Sequence, residues 1–191
     1  MRGSKLRISP TAMLAFAVGY FLDGSGFLAA VAPAVALHEL GHYLALRCCG
    51  CRVRRISVGI FGLEMDYSGT LSPGEMLLCA AAGPLTGLLY GAAARLAGGD
   101  YFTFSGTLSL LLSGFNLLPV LPLDGGRMAE ALLGGRKAAL LSKTAAVLLL
   151  ALSVAGMLRF RVWTLPPIFC WLLIRNLSVR SACIFRSGGI E

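Results

Sequence analysis

Leu37-His38-Glu39-Leu40-Gly41-His42-Tyr43 lies inside the apolar run Phe27–Cys48, and the reading of this stretch decides the rest. It is an H-E-x-x-H motif in a segment with helical character. Residues four apart share one face of a helix, so His38 and His42 can point at one metal ion. Imidazole suits Zn²⁺, and two His leave room for a third protein ligand and a water. Glu39 stands beside the first ligand, where a carboxylate can take a proton from the attacking water. The bland alternative is a chance pairing or two structural histidines. Against it, these are the only two His in the chain, they stand four apart, and a Glu follows the first. Two His and a Glu in a membrane helix are costly and seldom kept without a functional reason.

Around the motif, the composition is that of a membrane protein. Of 191 residues, 57% are hydrophobic and 14% are charged, with a mean hydropathy of +0.77. A soluble domain of this size needs more polar cover, so the expected class is an all-α polytopic membrane protein. By length it reads as a single transmembrane domain over 1–191, with a core at 27–130, two further helices at 138–176 and a tail at 177–191. The net charge of +8 does not point to nucleic acid, because the basic residues cluster between apolar spans as orientation signals do. No cleavable signal peptide is expected.

About six transmembrane helices are expected. A basic arm at 1–9 leads to a first span at 10–22, a turn at 23–26, and the second span, Phe27–Cys48, with the motif. Residues 50–70 are too short and too polar to span. Their β-branched residues and glycines read as a membrane-associated β-hairpin. Ser72, Pro73 and Glu75 form a capping-box start to the third span at 75–97. Gly83 and Gly87 there are four apart, a small-residue face suited to helix packing. The fourth span, 103–120, ends at Pro119 and Pro122, which break the helix. Irregular backbone at membrane depth is tolerated where it lines a cavity, so Asp124 just beyond reads as the third metal ligand. A short helix at 128–133, a fifth span at 138–158 and a sixth at 162–174 follow, with Pro166 and Pro167 expected to kink the last.

With the N-terminus inside, fourteen of the seventeen Lys and Arg fall on the cytoplasmic side, and only Arg95, Arg159 and Arg161 fall outside. Both termini, the hairpin and the Asp124 loop are then cytoplasmic. His38 is about ten residues from the basic end of its span, about 15 Å in at 1.5 Å per residue. Cys48, Cys49 and Cys51 could form a second metal or redox cluster. They lack the paired C-x-x-C partner of a structural zinc site and read as free thiols.

Together, His38-Glu39-Leu40-Gly41-His42 and Asn116-x-x-Pro119-x-x-x-x-Asp124-Gly125, whose ligands His38 and Asp124 are 86 residues apart, resemble the site-2 protease family of intramembrane zinc metalloproteases. The likeness covers residues 27–130, and both motifs match. Much of that family carries a PDZ domain between the motif spans, and some members a CBS domain at the C-terminus. This sequence is read as having neither. The compact, PDZ-free layout is similar to the sporulation branch, which processes a membrane-tethered sigma-factor precursor, although the missing CBS domain and short tail depart from it.

The resemblance implies that His38, His42 and Asp124 bind one Zn²⁺, with Glu39 as general base and later as proton donor to the leaving amine. It implies that Asn116 hydrogen-bonds the substrate backbone and that Pro119 shapes the loop carrying Asp124. The alternative for Asn116 is that it only satisfies backbone groups freed beside the prolines. A helical substrate hides its carbonyls and must unwind, and the hairpin offers a strand edge to an extended segment, with Ile60 and Phe61 as contacts. The expected partners are a membrane-anchored protein substrate, the lipid bilayer in a bacterial cell membrane, and a regulatory membrane protein. Two other readings compete: a catalytically silent scaffold with a structural metal, and a small metal transporter. The intact Glu39 argues against the first, since a structural site needs no base. The scarcity of ionisable residues in spans three, five and six argues against the second.

Overall fold

Ten elements follow in order in the structure, a computed structural model that describes residues 5–59, 62–161, 163 and 165–178. They are β1 (Lys5–Ile8), α1 (Pro10–Leu22), α2 (Phe27–Cys48), β2 (Arg52–Gly59), β3 (Gly62–Ser68), α3 (Pro73–Ala97), α4 (Asp100–Asn116), α5 (Asp124–Leu133), α6 (Gly135–Phe160) and α7 (Leu165–Ser178). Ile60 and Phe61 lie outside the described residues, as does the basic tail from 179 onward.

Burial follows the logic of a membrane bundle. The buried set is dominated by small residues such as Ala30, Ala34, Ser105 and Ser109, while Leu89, Leu96 and Leu158 are more than 70% exposed. Helices that pack in lipid bring small residues together and turn large apolar ones outward. Three helices, α2, α3 and α6, have the length and apolarity to cross a bilayer. The expected count of six therefore rests in part on shorter helices. α1 has 13 residues, α4 has 17 and α7 has 14, which at 1.5 Å per residue give roughly 20, 25 and 21 Å.

Among the described residues the chain divides between Gly114 and Phe115 into two compact units. In the first, the hairpin is as expected: β2 and β3 pair antiparallel from Arg52↔Ser68 to Gly59↔Gly62, with a register shift between Val53 and Arg55. The arm before α1 is part of the same sheet, because β1 pairs parallel with β2 from Lys5↔Arg55 to Ile8↔Val58. β2 is central, and β3 is an edge. The sheet packs on the C-terminal end of α2 and the N-terminal end of α3 through Ala45, Leu46, Cys51, Tyr67 and Cys79.

Local chemistry sets the helix ends and crossings. Asp23 Oδ1 and Oδ2 accept from the backbone N–H groups of Phe27 and Leu28 at 3.0 and 2.7 Å, capping α2. The Leu28 N–H holds the Asp23 carboxyl below its usual range. The capping box at Ser72 and Glu75 forms as the spacing predicts. Pro33 interrupts α2 and removes the N–H that would bond the Ala29 carbonyl. The Tyr101 hydroxyl donates to that carbonyl at 3.0 Å, and Ser105 Oγ donates to the Ala30 carbonyl at 2.7 Å. Ser105→Ala should therefore cost about 1 kcal/mol of stability, read as loss of thermal stability in detergent, through the lost hydrogen bonds to the Ala30 carbonyl and to the Tyr90 hydroxyl. Unchanged stability would refute that account of the α2–α4 crossing.

In the second unit, α5 begins at Asp124 instead of residue 128, so the carboxylate sits in the first turn of a helix and not in a loop. The expected kink at Pro166 and Pro167 is absent. α7 starts at Leu165, which puts both prolines in the first turn, where no N–H is needed. The core of this unit is Val120, Ala146 and Leu172.

Candidate metal centre

Two consecutive turns of α2 present His38, which is buried, and His42, which is half-buried. Their Nε2 atoms lie 3.3 Å apart, with ring centroids 4.9 Å apart and planes at 77°. Two nitrogens bound to a tetrahedral zinc ion at 2.0–2.1 Å stand about 3.3–3.4 Å apart, so the pair fits such an ion. His42 Nδ1 is 2.7 Å from the Cys79 carbonyl of α3. A carbonyl only accepts, so Nδ1 carries the proton, and the Nε2 lone pair is left for a metal.

Close approach of α2 and α3 makes this possible. A Cβ at Gly41 would lie 2.5 Å from the Ala82 carbonyl oxygen, and a Cβ at Gly83 would overlap the His42 imidazole, with Cδ2 at 2.6 Å. Gly83 is thus the floor under the His42 ring as well as a packing residue. Gly87 serves the packing that the small-residue pattern suggests: its carbonyl accepts from Ser109 Oγ at 2.8 Å, and Ser113 stands over it. Glu39, half-buried, is the next residue round the helix from His38.

The second unit carries the other motif. Asn116 is the last residue of α4, and Pro119 lies in the turn that follows. Both are half-buried. Asp124 is 6% exposed. The glycines after it let α5 fold back onto the turn. A Cβ at Gly125 would overlap the Leu117 carbonyl, and one at Gly126 would lie 2.6 Å from Leu121 N. Leu121 is held by side chains from two helices: its N–H donates to Ser142 Oγ at 2.7 Å, and its carbonyl accepts from Asn176 Nδ2 at 3.0 Å.

The Cys79 carbonyl, Ser142 and Asn176 were not among the residues expected from the sequence, and Gly83 was expected there only as a packing residue. A backbone carbonyl leaves no sequence signal. Ser142 and Asn176 leave one, as polar residues in apolar helices. Among the cysteines, Cys48, Cys49, Cys51, Cys79 and Cys170 are free, and Cys49 Sγ comes to 3.9 Å from Cys79 Sγ. Burial pushes the Cys51 thiol above its usual range.

Long apolar helices that bury small residues, with a paired-histidine motif on the second, define a polytopic membrane protein of the site-2 protease fold. Residues 69–160 match the model of peptidase family M50. The solved site-2 protease from Methanocaldococcus jannaschii superposes with a TM-score of 0.65 at 22% identity, covering 100% of this chain and 94% of that one. Rip3 of Mycobacterium tuberculosis, which carries a zinc metalloprotease designation, is 33% identical over 173 residues, 77% of this chain and 44% of Rip3. The zinc metalloprotease MJ0392 of M. jannaschii is 31% identical over 109 residues, 52% of this chain and 32% of that protein. The chain thus spans less than half the length of either relative.

Proposed function

We propose that this chain is a zinc-dependent intramembrane endopeptidase that hydrolyses a peptide bond in or near a transmembrane segment of a membrane-anchored protein. The observation that carries this reading is the His38–His42 nitrogen pair, spaced for one metal ion and followed around the helix by Glu39. His38, His42 and Asp124 would hold the Zn²⁺ through two imidazole nitrogens and a carboxylate oxygen. When bound there, zinc supplies Lewis-acid activation of the water and of the scissile carbonyl.

The chain's own residues do the rest. The Cys79 carbonyl fixes the tautomer of His42. Glu39 takes the proton of the attacking water and returns it to the leaving nitrogen, so that one carboxylate serves as base and then as acid. Asn116 hydrogen-bonds the substrate backbone, and Pro119 shapes the turn that leads to Asp124. The site faces the cytoplasm of a bacterial cell, by the distribution of basic residues. Release of a membrane-tethered sigma factor is the finer form of this reading, and a regulatory membrane protein fits it.

A substrate helix unwound for cleavage pairs as an added strand with the hairpin edge. The edge position of β3 supports this. Ile60→Ala together with Phe61→Ala should slow cleavage by roughly tenfold, the effect of losing about 1.4 kcal/mol of transition-state binding, and leave the zinc content unchanged. Equal cleavage rates would remove the hairpin from substrate binding.

The test of the proposal is zinc per purified chain, measured with cleavage of co-expressed, tagged single-span proteins. One zinc per chain and a cleaved fragment that a chelator abolishes and added zinc restores would support it. Absence of zinc from the purified protein would sink it.

A further inference from the structure

The two helices beyond the motif region carry buried polar side chains that the proposed chemistry does not use. Ser142 on α6 is 1% exposed and Asn176 on α7 is 4% exposed. Both reach the same residue, Leu121, three positions before Asp124. The Leu121 N–H donates to Ser142 Oγ at 2.7 Å, Asn176 Nδ2 donates to the Leu121 carbonyl at 3.0 Å, and Asn176 Nδ2 also donates to Ser142 Oγ. The three groups close a triangle. The hydroxyl oxygen accepts twice, the amide donates twice, and both backbone groups of Leu121 are satisfied.

This closure matters because Leu121 sits in irregular backbone among apolar helices, where water is not on hand to replace a lost partner. From Leu121 to Asp124 the path is short and internally bonded. The Leu123 N–H donates to the Val120 carbonyl at 2.8 Å, and the Gly126 and Arg127 N–H groups donate to the Leu123 carbonyl at 3.1 and 3.2 Å. Val120, fully buried, is wedged between Ala146 of α6 and Leu172 of α7. The Asp124 carboxylate thus inherits its position from a clamp made by α6 and α7, beyond both motifs.

We propose that Ser142 and Asn176 are positioning residues for the metal site: they hold the Leu121 backbone and thereby set the Asp124 carboxylate. The inference rests on the reading of Asp124 as a metal ligand. Outer-shell partners of metal ligands are worth roughly 10- to 100-fold in metal affinity. Ser142→Val should therefore hold zinc about 10- to 100-fold less tightly in competition with a chromophoric chelator. Ser142→Thr, of the same shape but with the hydroxyl kept, should stay near wild type. Asn176→Ala should behave like Ser142→Val.

The companion readout is the ligand-field spectrum of the full-length protein loaded with Co²⁺. It reports the ligand set and does not move on mere loss of stability. A spectrum altered in Ser142→Val and Asn176→Ala but restored in Ser142→Thr supports the clamp. Wild-type spectra and affinities in Ser142→Val and Asn176→Ala, with Asp124→Ala impaired, overturn it. Equal failure of the Thr and Val variants also overturns it, because shape and not the hydroxyl would then be at work. Wild-type zinc affinity in Asp124→Ala would remove the ligand assignment itself and the inference with it.

Discussion

Glu39→Gln should abolish cleavage and leave zinc in place. The substitution keeps the size of the side chain and its two polar atoms and removes only the basicity. On α2, Glu39 neighbours His38 but is not one of the two residues whose Nε2 atoms face each other at 3.3 Å, so the amide should not disturb the pair. A positioned general base contributes roughly 10²–10⁴-fold to rate, and one that must return the proton to the leaving amine belongs at the upper end. Cleavage of a tagged single-span substrate should therefore fall by at least about 10³-fold, below detection in a co-expression assay, while the purified variant still carries one zinc per chain. Cleavage at the wild-type rate would show that Glu39 is not the base. Loss of zinc together with cleavage would make Glu39 a structural part of the metal site and return weight to a scaffold reading.

What could be read in the sequence, and what could not, divides along local and distant interactions. The i, i+4 histidines, the capping box at Ser72 and Glu75 and the antiparallel hairpin are each specified by neighbours within a few residues, and each forms. β1 is different. Four residues containing Lys5 and Arg7 show no strand pattern of their own, and their partner, Arg55 to Val58, lies some fifty positions on, across two helices. In the sequence the α7 proline pair reads alike as a kink or as a helix start, and only the beginning of the helix at Leu165 decides between them. Asp124 is legible from the prolines that break the helix before it. Its place in the first turn of α5 depends on two glycines that allow backbone contact with residues 117–121. The clamp at Leu121 needed Ser142 and Asn176 to be brought from 21 and 55 residues away, which no local pattern encodes.

Gly83→Ala should separate the stability of the bundle from the integrity of the metal site. In a helix interior, Ala is favoured over Gly by up to about 1 kcal/mol, so on propensity alone the variant would be the more stable. The added methyl, however, falls on the His42 ring. That ring has little freedom to yield, because its Nδ1–H is spent on the Cys79 carbonyl at 2.7 Å. Overpacking of this kind costs about 1–3 kcal/mol, which cancels or exceeds the propensity gain, so the net change in stability should be small or unfavourable. The effect on the site should be much larger. Swinging the ring away breaks the hydrogen bond and moves Nε2 from its 3.3 Å spacing to His38 Nε2, so a ligand and its outer-shell partner are lost together. Zinc affinity should fall by more than the roughly 100-fold upper range for an outer-shell loss alone. Gly74→Ala is the matched control. It lies in the first turn of the same helix, its Cβ would meet nothing within 4 Å, and zinc binding should be unchanged. If Gly83→Ala held zinc as tightly as Gly74→Ala, the His42 ring could not lie against Gly83 in the metal-bound protein, and the account of α3 as the floor of the site would have to be given up.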